Sequence, residues 1–307
     1  MSSIGSYYAT HVQRPRKALS RGESSPELAV PKDGLKTLFS TTAGASVDTA
    51  RDVEWVGSAT RTPSLLDVIR SVPTNKAAIE YMEETTFTNA AAETAEGSAS
   101  PEATLAFTPR TSPVRKITVW IPVTDEQLED DEQVREVLDD RLTLMVRQRL
   151  ESQIINGDGV APNLTGILNT AGIQTQAQVG GESVNMGVRR AMAKVRTPGE
   201  AVPSAIVIAP ADALDEDLNV GTASPTVPYV FDGKVWNVPR YESTALTAGT
   251  ALVGDFSHCV VRPRRLTISL SNSHGTYFVE NKQALKCVLR AAFVVQRPAA
   301  FVTLTGI

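Results

Sequence analysis

The side chains with most chemistry to offer are His11, His258 and His274, Cys259 and Cys287, and an acidic run of Asp125, Glu126, Glu129, Asp130, Asp131 and Glu132. A transition-metal site needs His and Cys ligands at short, fixed spacings. The histidines show no such spacing with one another or with the cysteines. Two well-separated cysteines make no disulfide framework and read as small, reduced core residues. The chain lacks the G-x-x-x-x-G-K-[ST] phosphate loop and the G-x-S-x-G nucleophile elbow. "GDG" at 157–159 follows a predicted helix instead of opening one, so it reads as a cap and turn and not as a phosphate cradle. The acidic run sits where a helix dipole favours negative charge, which explains it without a cation. The densest basic group, "RPRR" at 262–265, could meet phosphates or a neighbour's carboxylates, or simply enter a strand as exposed charge. No catalytic, cofactor-binding or metal-binding residue is expected.

The elements that would position any site follow from length and pattern. A chain of 307 residues is long enough for one large or two medium domains with a proper core. A net charge of −4 marks no general nucleic-acid binder. The longest apolar runs, Ala205–Pro210 and Ala291–Val295, are strand-sized and too short to span a bilayer. The N-terminus has no apolar h-region, so no secretory signal is expected, and synthesis in a cytosol fits.

Residues 14–33 combine Pro15, Pro26 and Pro31 with Arg14, Arg16, Lys17 and Arg21, and read as an extended arm that needs a partner surface. Ser64–Arg70 reads as one or two helical turns. Ala77–Phe87 is extended. In Arg115–Val123, Ile117, Val119 and Ile121 alternate as on a strand face. Thr124 and Gln127 form a capping-box pattern. Val134, Val137, Leu138, Leu142, Met145, Val146, Leu150 and Ile154 then recur at three- and four-residue steps, predicting a helix from about Asp131 to Ile155. At ~1.5 Å per residue it would be about 35 Å long, closed by Asn156–Gly157. The second half reads as mixed: helices at Val184–Val195 and Pro210–Leu218, and strands at Ser204–Ala209, Trp236–Val238, Thr250–Val253, Cys259–Val261, Arg265–Ser271, Tyr277–Val279 and Leu285–Val295. "NSHG" at 272–275 joins two of these, and Pro298–Leu304 closes the chain.

One stretch fits no core. "NAAAETAEGSASPEATLAF", residues 89–107, is small and polar, carries Glu93, Glu96 and Glu102, and lies in a span without Lys or Arg from Lys76 to Arg110. The simplest arrangement is a long hairpin, residues 77–87 against 115–123, with this stretch as its tip. Projections that cannot fold alone call for partners, and a symmetric self-assembly supplies them.

The order of motifs resembles tailed-phage major capsid proteins of the Hong Kong 97-like fold. "ASPEATLAF" precedes "VRKITVWIPVTDEQLEDD", then come the long helix and "IINGDGVAPNLTGIL", followed by "VIAPAD", "VWNVPRYEST", "ALVGDF", "FVEN" and "RAAFVVQRPAAFVTL". The resemblance covers residues 60 to 307. It implies an α+β Hong Kong 97-like capsid fold with an N-terminal arm (1–62), an extended E-loop hairpin (75–117), a P-domain with a spine helix (118–182 and 262–292) and an A-domain (183–261 and 293–307). It implies self-assembly into hexamers and pentamers of an icosahedral shell around double-stranded DNA. The implied setting is the virion, assembled in the cytoplasm of a bacterial host, with scaffolding, portal and decoration proteins as further partners and no membrane. Implied inter-subunit contacts are Glu93, Glu96, Ser100, Pro101 and Glu102 on the E-loop and Asn272, Ser273, His274 and Gly275 on the P-loop. Arg14, Arg16, Lys17 and Arg21 would touch DNA or a neighbour. Some members join subunits by an isopeptide bond between an E-loop Lys and an Asn, assisted by a Glu. Here the Asn matches Asn281, but Ser100 stands at the Lys position and Val288 near the Glu position, so no such cross-link is expected. An encapsulin-like compartment holding an enzyme shares the fold and is the alternative. A soluble enzyme with a lid hairpin would need a catalytic constellation, and none was found.

Overall fold

A computed structural model describes residues 59–130, 132–218, 230–231 and 233–307. The arm residues Arg14, Arg16, Lys17 and Arg21, and Asp131 at the expected helix start, lie outside the described residues. In chain order the elements are α1 (Leu65–Val68), β1 (Arg70–Ser71), β2 (Ala78–Thr88), β3 (Thr104–Pro113), β4 (Arg115–Thr124), α2 (Asp125–Asp130), α3 (Glu132–Asn156), β5 (Gln174–Ala177) and α4 (Val184–Arg196). Then follow β6 (Ala205–Ile208), α5 (Pro210–Leu218), β7 (Val230–Phe231), β8 (Lys234–Val235), β9 (Val238–Glu242), β10 (Thr250–Gly254), β11 (Cys259–Ser271), β12 (Lys282–Val295) and β13 (Phe301–Thr305).

The long helix forms where the stripe predicts it. Leu142, Val146, Leu150 and Ile154 are buried against β4 and β12, in one cluster with Ile117, Val119, Ile121, Leu285, Cys287 and Leu289. Each such side chain contributes about 2 kcal/mol of burial. Met145, expected on the same stripe, is 45% exposed, because it directly precedes Val146 and so points about 100° around the helix from the seam that the sheet covers. The capping box is made reciprocally: the Gln127 amide donates to Thr124 Oγ1, and the Thr124 amide donates to Gln127 Oε1, both at 3.4 Å. α3 lies on a four-stranded sheet ordered β1-β11-β12-β4, antiparallel except for the β1–β11 pair.

A second sheet has seven strands, ordered β5-β13-β10-β6-β9-β8-β7, with α4 packed on β5, β10 and β13. All four residues of β6 are buried, as its unbroken apolar run requires. Phe256 meets Phe301 edge-on at 5.4 Å in the same core. β5 lies in the 118–182 segment that also holds the long helix, yet it pairs with β13 in this second sheet.

Three strand expectations need correction. The hairpin pairs β2 with β3, not with β4; β4 pairs with β12 in the four-stranded sheet. β3 holds two prolines in TLAFTPRTSP, which hides it from propensity reading. Trp236 is not in a strand: Trp236 and Asn237 take φ of 51° and 67° and form the two-residue turn between β8 and β9. Tyr277–Val279 is likewise a turn, held by Tyr277 N donating to His274 O and Val279 N to Thr276 O, and β12 starts only at Lys282.

Candidate assembly surfaces

The β2–β3 hairpin roots on the body and then leaves it. At the root, Tyr81 Oη donates to Val295 O (3.2 Å) and Ser112 Oγ donates to Phe293 O (2.8 Å). Arg110 bridges to Glu83 across the strands at 2.6 Å. The hydrogen bond and charge of Glu83 push the Arg110 guanidinium above its ordinary range, while burial, with help from Glu83, raises the Tyr81 phenol. Ile79, Tyr81 and Glu83 share the face turned to the body. The register puts the other side chains on the opposite face: Met82 stands against Pro109, Glu84 against Phe107 and, past a bulge at Thr85, Phe87 against Leu105. Met82, Phe87, Leu105 and Phe107 are 58–69% exposed. A sheet face this apolar is a surface built to be covered.

The loop 272–281, between β11 and β12, forms a second projection. His274 sits 5.2 Å from Trp120 and 5.0 Å from Tyr277, ring centre to ring centre. Past this cluster Phe278 and Val279 are 76% and 83% exposed. Glu280 accepts from Thr276 Oγ1 at 2.6 Å and from Lys282 Nζ at 2.7 Å, and these bonds, Lys282 first, hold its carboxyl below the usual glutamate range. Asn281 takes a φ of 50°, a conformation Asn tolerates, and its carbonyl accepts from Asp125 N at 2.9 Å.

Both projections stand on a braced frame. Glu151 of α3 is fully buried and pairs with Arg61 at 2.6 Å; its other oxygen accepts from Leu65 N and Ser243 Oγ. One carboxylate thus ties residues 61–65 and the segment after β9 to the long helix. The "GDG" turn is structural: Gly157 N donates to Gln153 O, and Gly166 N donates to Gly157 O. A Cβ on Gly157 would lie 2.2 Å from Leu164 O, so only glycine fits. Asp158 accepts from Asn163 Nδ2 and Val160 N, which lowers its carboxyl below the ordinary range.

Among the expected site residues, Glu93, Glu96, Ser100, Pro101 and Glu102 all lie exposed in the loop 89–103 between β2 and β3. Asn272, Ser273 and Gly275 are exposed around His274, whose ring is engaged with Trp120 and Tyr277. The sequence reading missed the apolar hairpin face, the Phe278–Val279 tip and the Arg61–Glu151 brace. The signal for the first was present in Phe87, Leu105 and Phe107, but it needed the β2–β3 register to become one face. The cysteines are free and buried, and burial pushes both thiols up. Among the described residues no group of His, Cys, Asp and Glu could hold a metal ion, and no helix is long and apolar enough to cross a membrane.

A long helix on a narrow sheet, a second sheet with its own core and a projecting hairpin define a shell-protein fold, and solved structures match it. A chain from Mycobacterium phage Bobi superposes with a TM-score of 0.66 at 17% identity, covering 84% of this chain and 95% of that one. A chain from the capsid of an empty GTA particle gives 0.68 at 16%, covering 84% and 94%. The fold is the Hong Kong 97-like capsid fold. The family model described as the phage capsid family matches residues 43–306, and the chain belongs to that family, a structural and not an enzymatic one. It is 29% identical over 247 residues to the major capsid protein of Enterobacteria phage HK97, across 78% of this chain and 64% of that protein. The chain therefore spans less than two thirds of the length of that curated relative.

Proposed function

We propose that this chain is a major capsid protein that assembles into hexamers and pentamers of an icosahedral shell enclosing double-stranded DNA. The observation that carries the reading is the β2–β3 hairpin, which presents Met82, Phe87, Leu105 and Phe107 on a face its own body does not cover. A neighbouring subunit would cover that face, and the hairpin, within residues 75–117, would act as the E-loop. The four-stranded sheet and α3 would form the P-domain, with Phe278 and Val279 at its tip in contact with neighbours around a threefold axis. The seven-stranded sheet would form most of the A-domain around the fivefold and sixfold axes. The basic arm would wrap neighbours or approach DNA, in a virion assembled in a host cytoplasm with scaffolding, portal and decoration partners.

Subunits in this proposal hold together by burial and not by a covalent bond, since no lysine lies between Lys76 and Arg110 to attack Asn281. The test is the variant Phe87→Ser/Phe107→Ser. Its subunit should melt within about 0.5 kcal/mol of the wild type, because exposed positions carry little fold stability. In sedimentation it should form no stable shells. Shells equal to wild type in yield and stability would refute the assignment of this face.

A further inference from the structure

Among the described residues two acidic side chains are buried, and they are satisfied differently. Asp212 accepts from a backbone amide, Gly249 N, at 2.8 Å. Glu151 relies on a cation that comes from outside both sheets. Its Oε2 lies 2.6 Å from Arg61 Nη1 and has no other partner. The same Nη1 donates to Ser243 Oγ at 2.7 Å. Ser243 is fully buried, and its amide donates to Ile208 O, the last residue of β6, at 3.0 Å. One guanidinium nitrogen therefore sits between a carboxylate of the long helix and a hydroxyl anchored in the seven-stranded sheet.

Arg61 lies where the described chain enters the fold. Residues 59, 60 and 62 are exposed, and the first buried positions are Pro63 and Leu65. Thr60 Oγ1 accepts from Arg141 Nη1 at 2.9 Å, Arg61 O accepts from Gln148 Nε2, and Leu65 N donates to Glu151 Oε1 at 3.2 Å. Residues 141, 148 and 151 recur at steps of seven and three, so they form one stripe of α3. On the other side Ser64 Oγ donates to Glu242 O, the end of β9, at 3.3 Å. The entering segment thus runs along the seam between helix and sheet and bonds to both. The two members of the ion pair are unequal. The Arg61 side chain is 23% exposed and can withdraw into water, whereas Glu151 is fully buried and cannot. A buried carboxylate left without its cation is strongly unfavourable, so withdrawal of Arg61 forces the seam to open to water.

We infer that Arg61 is a positioning residue: it fixes the angle between the long helix and the seven-stranded sheet, and makes that angle answer to where the chain's N-terminal segment is held. The bonds of Thr60 and Arg61 are the first to feel any force on the preceding residues. Packed seams switch between discrete arrangements and do not deform smoothly, so loss of these bonds releases the angle as a unit. The consequence for particles rests on the shell reading, since the rotation between copies decides how an assembly closes. The consequence within one subunit does not depend on that reading.

The test uses the full chain as wild type, as Arg61→Met, and as Arg61→Met/Glu151→Met. Amide hydrogen exchange is read on the subunit, and particle diameter by microscopy. Arg61→Met should raise exchange about tenfold or more, together, in residues 64–69, 148–156 and 242–246, while α4 stays at the wild-type rate. The double variant removes both charges and keeps their volume, so its urea midpoint should return close to that of the wild type. An apolar pair has no directional bond to set the angle, so its particles should still spread over about twice the wild-type range of diameters. Faster exchange confined to residues 59–65, or raised equally in α4, overturns the inference. Double-variant shells as uniform as wild type also overturn it, and that arm stands even if Arg61→Met does not fold. A wild-type chain that never assembles overturns the shell reading, and the exchange pattern then decides the role of Arg61 by itself.

Discussion

Removing Glu151 would leave the Arg61 guanidinium beside α3 without its carboxylate, and Leu65 N without its acceptor. Glu151→Ala is therefore expected to cost about 3 kcal/mol in urea unfolding. Gly157→Ala forces a Cβ onto Leu164 O and Gln153 O and should cost about 2 kcal/mol or more in the same measurement. Native protein should react with no thiol reagent at Cys259 or Cys287, and denatured protein at both, because burial keeps each thiol protonated and inaccessible. Glu280 supplies a pH signature. Its folded pKa is depressed, so the support it gives the 272–281 loop is complete above the ordinary glutamate value of 4.5 and is lost as pH falls through the folded value. NMR resonances of Thr276 and Lys282 should move only below that ordinary value; movement near neutrality would contradict the contact. Residue roles were the least legible part of the sequence. Nothing local marks Glu151 as the buried carboxylate among the many acidic residues of its helix, because its partners at 61, 65 and 243 are distant in the chain.

The elements divide by how local their causes are. The long helix could be read from its stripe, and the short α2 before it from the Thr124–Gln127 box, since both signals act over three or four residues. The hairpin could be read as a projection but not in its pairing. β3 is punctuated by prolines and β4 alternates cleanly, so the cleaner strand drew the pairing that β12 in fact claims. That error also concealed the apolar face, which exists only when Phe87 meets Leu105 and Glu84 meets Phe107. Deleting Asn89 to Ala103, exposed almost throughout, should leave a folded subunit with an unchanged thermal transition but abolish stable shells. Intact particles from the deletion variant would refute the proposed role of the loop.

At the scale of the whole molecule, the order of the motifs made the family legible where no single motif did. The long-range registers were not legible, since a strand's partner is set by the assembled sheet and not by its own sequence. Boiled, reduced shells should run as a single monomer band on a denaturing gel, because the hairpin offers no lysine for an isopeptide bond; a ladder of multimers would contradict this. The central claim is that the chain closes on copies of itself, and negative-stain microscopy with light scattering on the protein expressed alone tests it most directly. Hollow particles, or capsomers and tubes of regular diameter, are the predicted result. A chain that stays monomeric at every concentration would contradict it.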